Sequence, residues 1–243
     1  ETGVTEPNKP LEQMTAKERF DLGISYLKEG RFDEVIAVLK TISTSEPTIY
    51  VLSQRLLGDI YGCMGKLNEA TAAWSKVRCE DNPETYAWAQ FSLGNTYKII
   101  GKLGEDIAAW SNIRREHSCE AYAVAQYSLG NTHKIMDQLD DAIAAWSSIR
   151  RDDDPEAYAW AQLNLGDAYR TMDQSDNAIA AWSSIRRDDD PNAYAWAQSR
   201  LGFAYQTQNK LDEAITAWSN IRREDEPELY AEAQRNLALV NKH

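Results

Sequence analysis

Apolar and polar positions alternate along this chain with a helical period. In the stretch from Pro155 to Asp190, Tyr158, Ala161, Leu165, Ala168, Tyr169 and Met172 line one side of a helix. Asp154-Pro155-Glu156 opens it: an N-cap acid, a proline at the first helical position and an acid in the first turn. Asp173 marks the turn that follows, and Gly30, Gly65, Gly101, Asp137 and Asn209 hold equivalent places. These residue types best tolerate a left-handed C-cap. Three residues further on, Asp33, Asn68, Asp140, Asp176 and Asp212 are expected to cap a second helix. Its buried side carries Ala178, Ile179, Trp182 and Ile185, and Arg186-Arg187 is expected to end it, with cations at the negative end of the dipole. The Asp188-Asp189-Asp190 run then caps the next helix, and no β-alternation competes.

The same unit recurs. Trp74, Trp110, Trp146, Trp182 and Trp218 stand 36 residues apart, and so do the pairs from Leu57-Gly58 to Leu201-Gly202. Tyr50, Tyr86, Tyr122, Tyr158, Tyr194 and Tyr230 keep this step, while Leu22-Gly23, Tyr26 and Leu39 form an earlier copy. A fixed period of this size marks a solenoid of stacked helix pairs. Six repeats follow, roughly 15–46, 47–82, 83–118, 119–154, 155–190 and 191–226, with a capping helix over 227–243 whose solvent face holds Glu232, Arg235 and Asn236. Glycine inside a helix costs about 1 kcal/mol relative to alanine, so Gly94, Gly130, Gly166 and Gly202 require close helix approach. Ala70, Ala142, Ala178 and Ala214 are expected to face this row from the second helices, with the tryptophans filling the remaining volume.

The order Leu-Gly-x-x-Tyr, turn, x-x-Ala-x-x-x-Trp, then Pro resembles the tetratricopeptide repeat family over residues ~15–240. The resemblance implies an all-α, right-handed superhelical solenoid of six helix–turn–helix repeats plus a C-terminal capping helix. It implies a single domain over 14–243, behind an unstructured tail over 1–13. The period of 36 exceeds the family's usual length, Gln54, Gln90, Gln126, Gln162 and Gln198 replace its first aromatic, and Val77, Ile113, Ile149, Ile185 and Ile221 replace its last-turn alanine.

In this family the first helices line a concave groove. The first-helix face not used in pairing carries Trp88, Phe91, Asn95 and Lys98 in the third repeat, and Val124, Tyr127, Asn131 and Lys134 in the fourth. The fifth offers Trp160, Leu163, Asp167 and Arg170, and the sixth Trp196, Ser199, Phe203 and Gln206. Residues 142–155 and 178–191 are identical, whereas the copies differ mainly on this face. Duplicates that keep a scaffold and vary one face point to recognition; packing of Trp88, Trp160 and Trp196 against the adjacent repeat is the alternative. The asparagines resemble the backbone-clamping asparagine of peptide-binding relatives, since an amide pairs with both N–H and C=O. The basic residues of the two-carboxylate clamp that takes chaperone tails do not all recur.

Charge narrows the partners. With 26 Lys and Arg against 38 Asp and Glu, the net charge of −12 opposes nucleic-acid binding. No stretch has the roughly 20 apolar residues of a membrane span. Cys63, Cys79 and Cys119 form neither a disulfide framework nor a zinc site, and none has a histidine at useful spacing along the chain. His117 and His243 are isolated, and His133, standing where other repeats carry Tyr97 or Tyr169, is expected as a core substitute. No nucleotide-binding or hydrolase motif occurs, the acidic clusters lack calcium-loop order, and no catalytic residue, metal or cofactor is expected. Asp106 stands where other repeats have Ala or Val and, with Gly104, points to a looser third repeat. Glu1-Thr2-Gly3 and Lys242-His243 resemble vector scars, which leans toward an exported protein, with the cytoplasm otherwise. The expected function is a monomeric scaffold binding a protein or peptide. Self-assembly, or a surface protein engaging a host receptor, are the alternatives.

Overall fold

A computed structural model describes residues 9–240. Among them lie thirteen α-helices, one 3-10 turn and no strand. The chain forms two compact units, Glu1–Ala121 and Tyr122–His243. The first holds the turn Leu11–Gln13 and then α1 (Ala16–Lys28), α2 (Phe32–Leu39), α3 (Pro47–Cys63), α4 (Leu67–Trp74), α5 (Pro83–Ile99) and α6 (Leu103–Ser111). α7 (Cys119–Ile135) begins at its end. The second unit continues with α8 (Leu139–Ser147), α9 (Pro155–Thr171), α10 (Ser175–Ser184), α11 (Pro191–Thr207), α12 (Leu211–Ser219) and α13 (Pro227–Val240).

Each long first helix pairs with the short second helix that follows. Asn82, Asp154 and Asp190 cap α5, α9 and α11 by accepting the N–H three residues on, with proline at the first helical position. Thr15 and Glu18 form a reciprocal capping box on α1. The turn residues Gly30, Gly65, Gly101, Asp137, Asp173 and Asn209 all take positive φ, between 57° and 76°.

Three local expectations are corrected. The second helices start earlier than expected, so Asp33, Asn68, Asp140, Asp176 and Asp212 occupy the second helical position. Arg31, Lys66, Gln138, Gln174 and Lys210 hold the cap positions, with no side-chain cap bond. The acids there act on the helix dipole instead. Arg186 and Arg187 lie beyond α10, in the turn after its extended cap Ile185. On α13, Arg235 is exposed, but Glu232 and Asn236 are half-buried, and the open face includes Ala231, Gln234, Ala238 and Leu239.

The glycine row faces the tryptophans rather than the alanines. A Cβ at Gly58, Gly94, Gly130, Gly166 or Gly202 would fall within 3.0 Å of Trp74, Trp110, Trp146, Trp182 or Trp218 respectively. Every one of these indoles is at most 5% exposed. An indole is too wide to lie against any side chain at this crossing, so the first helix presents bare backbone to it. In the first repeat Leu39 replaces the tryptophan, 2.9 Å from a Cβ built on Gly23. Trp74 donates its indole N–H to Asp59 Oδ1 at 3.0 Å, while Trp110 and Trp182 donate to the carbonyls of Phe91 and Leu163 at 3.3 Å. The indole nitrogens of Trp146 and Trp218 have no hydrogen-bond partner among the described residues.

Two of the replaced family positions acquire a reason. Gln198 accepts from the amide of Asn220 at 3.2 Å, joining α11 to the end of α12, and Ile185 and Ile221 are buried core residues. Asp106 is fully buried, and its Oδ1 accepts the Ile107 N–H at 2.6 Å. α6 matches α8 and α12 in length, and a Cβ on Gly104 would meet open space. Of the expected tail over 1–13, residues 1–8 lie outside the described residues, whereas Leu11–Gln13 is ordered as a 3-10 turn whose Leu11 carbonyl accepts from Arg19. The expected terminal scars, and His243 with them, also lie outside the described residues.

Candidate partner-binding face

In the first unit the expected set sits on α5. Trp88 and Phe91 are half-buried and meet edge to face, with ring centroids 5.9 Å apart. Asn95 is half-buried, and Lys98 lies over the Trp110 ring at 5.8 Å. The lysine is thus drawn back onto its own repeat.

In the second unit the same register runs along α7, α9 and α11. Tyr127 and Asn131 are half-buried and Lys134 is exposed on α7. Trp160 and Asp167 are half-buried and Arg170 is exposed on α9, while on α11 Trp196 is half-buried and Phe203 and Gln206 are exposed. Leu163 is different: it packs with Ala178, Trp182 and Ala197 at 6% exposure, so no surface is left for a partner. Ser199, one repeat later, is buried too. At this position Leu163 and Ser199 are buried, whereas the larger Phe91 and Tyr127 stay half-buried.

Polar rungs tie neighbouring first helices together. Asn164 donates to Asn131 Oδ1 at 3.1 Å, and Arg200 donates through Nε to Asp167 Oδ1 at 3.0 Å while stacking over Trp196 at 5.3 Å. These bonds commit one lone-pair side of Asn131 and one oxygen of Asp167 to the scaffold. Beside the second rung opens a cavity of about 500 Å³, lined by Arg170, Ser175, Ala178, Trp182, Arg200, Phe203, Ala204, Thr207 and Gln208.

The turns between repeats carry a second set of contacts. Arg151 pairs with Asp189 at 2.8 Å, donates to the Ser184 carbonyl at 2.6 Å and lies 4.6 Å over Tyr158. Arg187 repeats this with Asp225, the Asn220 carbonyl and Tyr194. In the first unit the same joint is built from Cys79, His117 and Tyr86, with Cys79 Sγ 3.4 Å from His117 Nε2 and the imidazole edge-on to Tyr86 at 5.8 Å. The Arg114 N–H donates to His117 Nδ1 at 3.2 Å, which places the proton of the neutral ring on Nε2, facing the sulfur. This corrects the expectation that His117 is isolated. The step from Cys79 to His117, 38 residues, equals that from Arg151 to Asp189, a signal visible only once the joint's register is known. Burial pushes the Tyr86 hydroxyl above its ordinary range. His133 is half-buried, as Tyr97 and Tyr169 are at the same place in their repeats, and it is bonded to Gln138 Oε1 at 2.8 Å. Among the described residues, no cluster of His, Cys, Asp and Glu is arranged to hold a metal, and no helix is long and apolar enough to cross a membrane.

The fold and these faces define a helical-repeat scaffold. Residues 160–192 match the family model for the tetratricopeptide repeat. Solved structures agree. MamA superposes with a TM-score of 0.52 at 25% identity, over 75% of this chain and 96% of that one. The C-terminal part of a repeat-containing protein from Cytophaga hutchinsonii gives a TM-score of 0.66 at 13% identity, covering 89% of this chain and 85% of that one. PilF of Pseudomonas aeruginosa gives 0.61 at 13% identity, over 91% and 97%. No curated protein sequence matches the chain. Proteins of this repeat class are generally non-enzymatic scaffolds for protein–protein interaction.

Proposed function

We propose that the chain holds a segment of a partner protein along the first-helix face. The observation that carries this reading is the cavity beside Phe203, which opens where aromatic and polar side chains of successive first helices stand in one register. Half-buried Tyr127, Trp160 and Trp196 offer rigid aromatic area at low entropic cost. Lys134, Arg170 and Gln206 supply exposed polar groups around them. The rungs Asn131–Asn164 and Asp167–Arg200 fix neighbouring helices, so the face is organised before a partner arrives. This reading assigns the chain no catalytic step.

Site-specific photo-crosslinking tests it. A crosslinking residue is placed at Lys134 or Gln206 on the first helices, and at exposed Ala144 or Ala180 on the second helices. In extract of the native source, adducts arise from the first pair of positions. Adducts from Ala144 and Ala180 alone would move the binding face to the opposite helices.

A further inference from the structure

Resting on that reading, we infer that the cavity between α9, α10 and α11 takes an acidic, apolar segment of the partner: a carboxylate set next to an aromatic or branched aliphatic side chain. Ala178, Trp182, Phe203 and Ala204 give the cavity apolar surface, and Ser175, Thr207 and Gln208 give it neutral polar groups. Its two charged residues are both arginines, and no acid lines it. That is the inverse of the whole chain, in which 38 acids outnumber 26 bases. A cavity of cations in an anionic protein selects its occupant by charge.

The two arginines play different parts. Arg200 is held in place: Nε is committed to Asp167 and the plane rests on Trp196, so its terminal N–H groups are oriented without being consumed. Arg170 is exposed and makes no ion pair among the described residues. A guanidinium presents paired N–H donors that match a carboxylate, and it gives up water more readily than an ammonium group.

Phe203 supplies the apolar half. It is 38% exposed and its ring lies edge-on to Trp218 at 5.6 Å. The corresponding places in earlier repeats hold Asn95, Asn131 and Asp167. A change from polar to aromatic on an open face exposes apolar surface that an occupant must cover to benefit from. The volume of about 500 Å³ accommodates one large side chain with the adjoining backbone, as small concave sites do. It is too small for a helix laid lengthwise, and its arginines repel a basic segment.

A display library of random linear peptides, selected in parallel on the full wild-type chain, Arg170→Gln and Phe203→Ala, tests the assignment. Both positions are exposed, and melting midpoints near wild type show that the variants fold. Wild type is expected to enrich peptides carrying Asp or Glu beside Phe, Leu, Ile or Trp. Either substitution weakens the enriched peptides about tenfold, the size of one charge-assisted or anchor contact, and added salt weakens wild-type binding but affects Arg170→Gln less. Enriched peptides without an acid, or peptides indifferent to both substitutions, overturn the cavity's assignment and leave the first-helix face standing. No enrichment on wild type also overturns it, and the crosslinks then decide separately whether the face binds anything.

Discussion

The chain uses tryptophan in two regions with opposite consequences. On the second helices, Trp74, Trp110, Trp146, Trp182 and Trp218 are pressed against glycine and lose nearly all contact with water. On the first helices, Trp88, Trp160 and Trp196 stay half-buried on the face that varies between copies. The first set is interior packing, repeated with almost no change. The second set sits among residues that differ at nearly every copy: Asn131, Asp167 and Phe203 occupy one register. The repeated indole packing and the variable face are thus placed on different helices of each pair, which lets the face change without loosening the stack.

The comparison breaks most severely at the wedge. Trp182→Ala is expected to lose about 3–5 kcal/mol of unfolding free energy in a urea titration, the usual cost of emptying an aromatic core site. A loss under about 1 kcal/mol, within the range of surface changes, would refute the wedge. Gly166→Ala comes next. Alanine gains about 1 kcal/mol of helix propensity, but its methyl must displace an indole that is 1% exposed, and overpacking costs about 1–3 kcal/mol or somewhat more. The displaced group is rigid and enclosed, so overpacking wins, with a net loss of about 1–2 kcal/mol by the same titration.

The joints sharpen the contrast at smaller scale. Arg187→Ala strands the Asp225 carboxylate, which is 5% exposed, and is expected to cost about 1–2 kcal/mol. Cys79→Ala, at the equivalent neutral joint, removes only a weak sulfur contact and shifts the midpoint less. Equal losses in the two variants would show that the charged joint adds nothing to the neutral one.

Asp59 gives a pH signature. Burial raises its carboxyl above the ordinary range, against the Trp74 hydrogen bond and Arg55, which lower it. A raised folded value means that the folded chain holds a proton the unfolded chain has released, so this group's contribution falls as pH rises from the ordinary carboxylate range through the raised value. Asp59→Asn keeps an oxygen for Trp74 and removes the titration. Its stability curve is expected to be flatter over that window and to lie above wild type at neutral pH; a steeper curve would contradict the burial argument. The smallest stability effect belongs to the face itself. Arg170→Gln is expected to stay within about 0.5 kcal/mol of wild type, and a larger loss would mean that this arginine supports the fold.

Much of this architecture was legible in the sequence because it rests on residues with few alternatives. Only glycine admits the indole, and Asp173 and Asn209 mark turns through their tolerance of positive φ. Proline after Asp154 and Asp190 fixed the first-helix starts. The second-helix starts were misplaced because Asp176 signals a helix N-terminus equally well from the first turn as from the cap. The glycines' neighbour was also misread, since Ala178 and Trp182 share a helix face and spacing alone does not rank them. For the candidate face, the register of Arg170 and Phe203 could be read, but the burial of Leu163 could not, because it depends on α10 and α11 as well as α9. The Cys79–His117 joint was invisible for the same reason: it joins the ends of two successive repeats, 38 residues apart.

Hydrogen exchange of the tryptophan indole N–H groups, followed by NMR on the intact chain, tests the division between the two regions most directly. The account predicts slow exchange for Trp74, Trp110, Trp146, Trp182 and Trp218, and fast exchange for Trp88, Trp160 and Trp196. Two sets exchanging at one common rate, or wedge indoles exchanging faster than those on the first helices, would contradict it.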